Sequence, residues 1–355
     1  MNPTTANNSL ELAAPMLLTK QETRKCFFSI RLPLLVRFYL LAYASKRRRG
    51  VLGWLASAVL RRVFKFVRSL PLRWNPGVFH YQAADVEKTI RFDPRNTQFH
   101  SIYSPKYENG YEPETSLLLD VCLQRCKVFW DVGSNWGHFA LYACSHPHFT
   151  GSVHAFEPMP DTFRDLQSVI SQAGLQAQVE CHNFALGDTN GSCAAVLPDG
   201  VHSGMAQIDG QGAGVAVQVH AAKGLNLADP DLIKLDVEGF EAAVLRGADE
   251  ILDRAKPMLI LESWLENPTK TIEPLLMLES HGYRLFEPCW LYTSAHGEFH
   301  ARSAKLHGKS LERLGLSLIP FKASERCLRG EYANLFACHE DNLAELNQSI
   351  CRNGF

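Results

Sequence analysis

A chain of 355 residues with 46% hydrophobic and 21% charged side chains has globular composition, enough for one large domain and an appendage. That balance excludes a coiled coil, a collagen and a chain disordered throughout; 36 basic against 37 acidic side chains excludes a general nucleic-acid coat. The charge is unevenly divided: residues 1–73 hold 14 Lys and Arg against Glu11 and Glu22, a net of +12, and the rest carries −13. A basic head on an acidic body suggests an anionic surface for the head and a separate task for the body. The ten cysteines form no CxxC pair, which reads as reduced thiols in a reducing compartment.

Residues 1–25 are polar, lack a helical period and read as a disordered terminus. Residues 26–73 form the basic segment. Its apolar stretch from Cys26 is interrupted by Arg31, Pro33 and Arg37, so it lacks the run of about 20 residues that a spanning helix needs. Beyond the Lys46–Arg49 cluster, Leu52, Leu55, Val59, Val63, Phe66 and Leu70 recur at helical spacing, with Arg61, Arg62, Lys65 and Arg68 opposite. Such basic amphipathic helices suit an anionic membrane surface, reached through residues 26–70, and a cytoplasmic, peripheral location. Residues 74–125 read as a linker and lead-in. Within it, Tyr103–Glu114 is rich in aromatics and acids, and Tyr107, Tyr111 and Glu112 are candidates for a lid that contacts a sugar.

From residue 126 to 340 apolar strands alternate with amphipathic helices, and residues 341–355 form a tail. Strands are expected at 127–132, 152–157, 179–186, 231–237, 257–261 and 283–286, with a closing strand at 332–338. Further strands at 192–197 and 215–219 flank a glycine-rich loop. Helices are expected at 138–144, 161–173, 241–252 and 271–280. Repeated βα units of this kind make a doubly wound α/β sheet, whose ligands bind beyond the carboxyl ends of the strands. Four strands end in an acid there: Asp131, Glu157, Asp236 and Glu262. Trp264 and Trp290, placed in loops beyond strand ends, could stack on a sugar.

The first loop, Asp131-Val132-Gly133-Ser134-Asn135-Trp136-Gly137, opens a helix whose free N–H groups can face a ligand. Glu157 ends the next strand, where a carboxylate can accept both hydroxyls of a ribose. The ligand is then a nucleoside. A nicotinamide dinucleotide needs a GxGxxG turn for its pyrophosphate, and Asp131 before the glycines would repel it. The same acid attracts the ammonium and sulfonium of S-adenosyl-L-methionine, so the charge favours the methyl donor.

DVGSNWG, HAFEPMP, NFALGD, DLIKLDVEGFEAAVLRGA and PMLILES together resemble the FkbM family of S-adenosylmethionine-dependent methyltransferases, over about residues 107–338. The resemblance implies a seven-stranded Rossmann-like methyltransferase sheet with an antiparallel last strand, and O-methylation of a hydroxyl on a sugar, glycan or natural product. Asp131 would then hold the donor's amino group, Gly133, Ser134 and Asn135 would line its methionine part, and Gly137 would let the helix start close to the ligand. Glu157 would take the ribose, and Asn183, Ala185 and Asp188 would lie near the adenine. Asp236 or Glu238 would be the base that receives the acceptor's proton, with Glu262 and Trp264 on the acceptor side. No metal is assigned, although Asp236, Glu238 and Glu262 offer the hard oxygens that Mg²⁺ takes. The competing readings are a nicotinamide-dependent oxidoreductase and a non-catalytic membrane adaptor that keeps the fold.

Overall fold

The structure, a computed structural model, describes residues 16–19, 23–34, 36–37, 40, 59, 62–63, 66, 74–83, 86–104, 107, 110–196, 207–209, 214–265, 267–302 and 311–352. The N-terminal part supplies β1 (Met16–Thr19), β2 (Phe27–Arg31), β3 (Gly77–Ala83), β4 (Val86–Phe92), α1 (His100–Tyr103) and α2 (Pro113–Cys122). Then come β5 (Val128–Val132), α3 (His138–Cys144), β6 (Ser152–Phe156), α4 (Pro160–Ala173) and β7 (Val179–His182). Short strands β8 (Ala185–Gly187), β9 (Gly191–Val196), β10 (Gln207–Asp209) and β11 (Val215–Ala221) follow. The βα rhythm resumes with β12 (Leu232–Leu235), α5 (Glu241–Gly247), α6 (Asp249–Arg254), β13 (Met258–Trp264) and α7 (Pro268–Ser280). Last are β14 (Tyr283–Ser294), β15 (Gly297–Ala301), β16 (Glu312–Phe321), β17 (Tyr332–His339) and α8 (Leu343–Arg352).

The main sheet runs β1-β16-β14-β17-β13-β12-β5-β6-β7, with β15 paired to β14. β13, β12, β5, β6 and β7 are parallel neighbours, and β17 enters antiparallel between β13 and β14. This is the doubly wound α/β sheet that the alternating pattern predicts. Period-2 alternation divides each strand between two cores. In β5, Phe129 joins the cluster that holds Leu141, Leu166 and Ile170, while Trp130 joins the one that holds Leu245, Leu252 and Leu275.

Among the described residues the sheet has ten strands where seven were expected. β14 is 12 residues long and offers an edge far beyond β17; β16 pairs along it, β15 folds back on it, and β1 covers β16. The expected strand 179–186 divides at Asn183, whose Nδ2 donates to the carbonyls of Glu157 and Pro158 at 2.9 and 3.2 Å. β8 then leaves for a second sheet, ordered β10-β9-β11-β8. The expected helix 241–252 breaks after Gly247, which packs so close to Gly187 that a Cβ would sit 1.7 Å from the Gly187 carbonyl oxygen.

The N-terminal region needs the largest correction. Met16–Thr19, expected in a disordered terminus, forms an edge strand with Leu18 fully buried. Phe27–Arg31, expected in the basic membrane-associating segment, pairs with β3, and Phe27 packs edge-on to Phe79 and Trp136. The expected linker holds the β3–β4 hairpin and the buried helix α2. Of the expected amphipathic helix, Val59, Arg62, Val63 and Phe66 are helical and exposed, and the remainder lies outside the described residues. Among the described residues no helix is long and apolar enough to cross a membrane.

Candidate active site

A cavity of about 680 Å³ opens beyond the carboxyl ends of β5, β6, β12 and β13. Its floor is the turn from β5 into α3. Gly133 has φ +81°, and a Cβ there would stand 1.8 Å from the Asp236 carbonyl oxygen, so the turn crosses the end of β12 at a distance only glycine allows. Asn135 holds a left-handed φ of 52°, a cost of order 1–3 kcal/mol that recurs at ligand-binding turns. Its N–H donates to Glu157 Oε2 at 3.0 Å, and the Met159 N–H donates to Oε1 at 2.9 Å. Glu157 is 5% exposed, and burial pushes its carboxyl up to about 8 against those two donors. Glu157 lines the cavity, and a carboxyl held in place by two N–H groups suits a vicinal diol.

Asp131 lies behind the turn, fully buried and outside the cavity lining. Its Oδ2 accepts from Ser134 Oγ at 2.7 Å, while Oδ1 has no hydrogen-bond partner among the described residues. Burial raises its carboxyl; Lys234 and Ser134 oppose that. An orphaned carboxylate oxygen beneath a glycine turn is what a cationic ligand group, reached through Ser134 or a water, would satisfy.

The other end of the cavity is a cluster of carboxyls around one cation. Lys234, 4% exposed, places Nζ 2.9 Å from Asp236 Oδ2 and over the Phe139 ring. Burial alone would lower its pKa, but Asp236, Glu112 and Asp131 outweigh that and raise it. Asp236 is held below the usual carboxylate range: burial works against ionisation, yet Lys234 and a hydrogen bond from Glu262 prevail. Glu262 is pushed well up by burial first and by Asp236 second, the two carboxyls sharing a side-chain hydrogen bond. Glu112, with a left-handed φ of 40° at the start of α2, makes no helix cap. Its carboxyl is raised to about 7 by burial, Asp236 adding to that and Lys234 opposing it. Glu238 lines the same wall, again at a left-handed φ of 47°. Among the described residues, Asp236, Glu238 and Glu262 each place a carboxylate oxygen within 4.8 Å of the others.

The structure thus brings together Gly133, Ser134, Asn135, Glu157, Ala185, Tyr107, Tyr111, Glu112, Asp236, Glu238, Glu262 and Trp264 around one cavity. Gly137 stands one turn further on, at φ +93°, where α3 begins. Three expected residues stay apart. Asn183 staples the segment after Glu157, Asp188 pairs with Arg246 at 3.2 Å on the surface, and Asp131 acts from behind the turn. Trp290, expected in a loop, is 2% exposed within β14, with Nε1 bonded to Glu114 and Arg313 over its ring. Sequence reasoning missed Lys234, His138, Tyr332 and Asn334, which also line the cavity. Lys234 carried a signal: a lysine inside an apolar strand two residues before an acid.

The family model described as the methyltransferase FkbM domain matches residues 131–285. The hexuronic acid methyltransferase AglP of Haloferax volcanii is 29% identical over 139 residues, 38% of this chain. That alignment takes 54% of the relative, so the chain spans about half the length of the curated relative it matches. Among solved structures, a FkbM methyltransferase from Methylobacillus flagellatus KT matches at 18% identity and TM-score 0.35, covering 55% of this chain and 43% of that one. A precorrin-6y C5,15-methyltransferase from Geobacter metallireducens GS-15 matches at 15% identity and TM-score 0.35, covering 67% and 92%. The matched stretch, residues 131–285, carries the glycine turn, Glu157 and Lys234 with Asp236, Glu238 and Glu262, and is similar over that length to a methyltransferase FkbM domain.

Proposed function

We propose that this chain transfers the methyl group of S-adenosylmethionine to a hydroxyl of a sugar or glycan acceptor. One observation carries the reading: a single cavity is lined both by the buried carboxyl of Glu157 and by the Lys234 carboxyl cluster. The donor supplies an electrophilic methyl on sulfur. Glu157 receives the ribose hydroxyls, and the Asn135 and Met159 N–H groups fix its orientation. Asp131 and Ser134 draw the ammonium end toward the turn. A pyrophosphate would meet carboxyls on this wall, and the Lys234 charge is taken up by Asp236, which disfavours a nicotinamide dinucleotide.

The acceptor enters beside Trp264 and Tyr332, whose rings lie 4.7 Å apart; Trp264 is 43% exposed. Aromatic faces with carboxyls and Asn334 beside them suit a hydroxyl-rich ring. The name of the Haloferax relative points to the same acceptor class. As the new O–C bond forms and the C–S bond breaks, the hydroxyl proton passes to a carboxylate of the cluster. Asp236, ionised but weakly basic, orients the hydroxyl; Glu112, raised to about 7, has the basicity the step needs. In-line placement of the two substrates supplies much of the remaining acceleration.

The test is equilibrium binding of S-adenosylmethionine and NAD to the full chain. The methyl donor should bind, NAD should not, and Glu157→Ala should abolish donor binding in a folded protein. NAD binding that displaces the donor would sink the reading. We further propose that the basic segment rests on an anionic membrane surface; exposed Val59, Val63 and Phe66 at helical spacing beside Arg62 support it. The full chain should float with phosphatidylserine vesicles and stay behind with neutral ones. Equal behaviour toward both would remove this reading.

A further inference from the structure

A second group of ligating side chains stands away from the cavity, at the β7 edge of the main sheet. β6 and β7 are parallel, with His154 opposite Glu180 and Phe156 opposite His182. Residues two apart on a strand share a face, so Glu180 and His182 project to the same side as His154. Val153 and Ala155 pack into the core beneath α4, which leaves His154 on the opposite face, beside Trp130. His154 Nδ1 is 3.1 Å from His182 Nε2 and 3.4 Å from Glu180 Oε2. The two imidazole rings stack with centroids 5.3 Å apart and are 7% and 9% exposed.

A direct hydrogen bond satisfies only one of those two contacts. Nδ1 carries at most one proton, yet it faces an imidazole nitrogen and a carboxylate at once. A cation between the three atoms takes a lone pair from each. Tetrahedral ligation with bonds of about 2.0–2.1 Å puts neighbouring ligand atoms about 3.3–3.4 Å apart, close to the two spacings at His154 Nδ1, while the Glu180 and His182 ligand atoms lie within 4.8 Å of each other. Two imidazoles and one carboxylate suit a Zn²⁺-class ion, whereas Mg²⁺ and Ca²⁺ want oxygen.

We propose that His154, Glu180 and His182 form a binding site for one Zn²⁺-class divalent ion, with the fourth position left to water. The side chain of Glu180 is 62% exposed and gives the ion its way in. None of the three residues lines the donor cavity, so the site is independent of the methyl-transfer reading. Its task is a clamp. β7 is a four-residue strand whose sheet partner among the described residues is β6, and an ion shared between them ties that edge down.

The test uses the full chain, stripped by chelator and dialysed, with Zn²⁺ and Co²⁺ as the probes. One equivalent of Zn²⁺ should survive desalting, and Co²⁺ should give the strong visible absorption of a tetrahedral site. Glu180→Gln and His182→Asn should each weaken Zn²⁺ binding by about 100-fold or more, with unchanged far-ultraviolet circular dichroism. Should His182→Asn fail to fold, the exposed Glu180→Gln alone decides. The proposal is overturned if the folded chain retains no Zn²⁺, as it would be if the imidazoles simply hydrogen-bond to each other. It is equally overturned if Glu180→Gln holds the ion as tightly as the parent.

Discussion

Glu112 reaches the Lys234 cluster from outside the βα units, on the turn that opens α2. Its carboxyl is raised to about 7, first by burial, while Asp236 is lowered by Lys234. The two acids therefore split the work: one stays charged and points, the other is basic enough to take a proton. A base works only in its ionised form, so turnover should rise with pH through about 7 and level off above it. Glu112→Gln should cut kcat by about 10²- to 10⁴-fold, keep donor affinity, and erase that rise. Asp236→Asn should cut kcat as well, through lost orientation, and should move the rise to lower pH, because the Asp236 charge is part of what raises Glu112. Full kcat in Glu112→Gln would exclude it as the base and leave Glu238 as the next acid to test. Glu112 was singled out in the sequence only as a lid residue. Its place in the acid cluster depends on how the lead-in folds back over β12 and β13, which no local pattern records.

At the scale of elements, what was legible follows periodicity and what was not follows pairing. The strands that end at Val132, Phe156 and Leu235 could be read, their ends to within about two residues, because buried parallel strands are short apolar runs. The glycine turn was legible because its chemistry is local. β14 and β16 were not, because their extra length is decided by the partner strand. Gly133 shows how tightly the legible part is constrained. Ala at this position meets a left-handed φ of 81° and the Asp236 carbonyl oxygen at 1.8 Å. Relief requires the end of β12 to move, and Asp236 moves with it. Gly133→Ala should cost about 2–4 kcal/mol in denaturant unfolding, from strain and displaced packing, and should abolish donor binding. An unchanged midpoint with normal donor affinity would mean that the turn and β12 approach each other less closely than described.

Over the whole molecule, the division into a basic head and an acidic body holds for charge but fails for packing. Arg24 belongs by sequence to the basic head, yet it is built into the body. Its Nε donates to Asp120 Oδ1 at 2.6 Å, Nη1 to Ser145 Oγ at 2.8 Å and Nη2 to the Tyr142 carbonyl at 3.1 Å. The guanidinium also lies over the Tyr142 ring. Asp120 is 7% exposed, and burial raises its carboxyl while Arg24 and the Tyr142 hydroxyl hold it down. Removing the guanidinium strands a buried carboxylate, which costs about 3–5 kcal/mol, a large part of the 5–15 kcal/mol that holds a typical domain together. A charge profile cannot show this, because it counts Arg24 with the other cations of its stretch and says nothing of the anion it meets 96 residues later. Arg24→Ala should therefore lower the urea midpoint sharply at pH 7. Arg24→Ala combined with Asp120→Asn should recover part of the loss, since the second change removes the stranded charge. A chain begun at Trp74 lacks Arg24, β1 and β2 together, and should be molten or aggregated by near-ultraviolet circular dichroism and size exclusion. If that shortened chain instead unfolds cooperatively at the midpoint of the full one, the first two strands are decoration and the body is the whole domain.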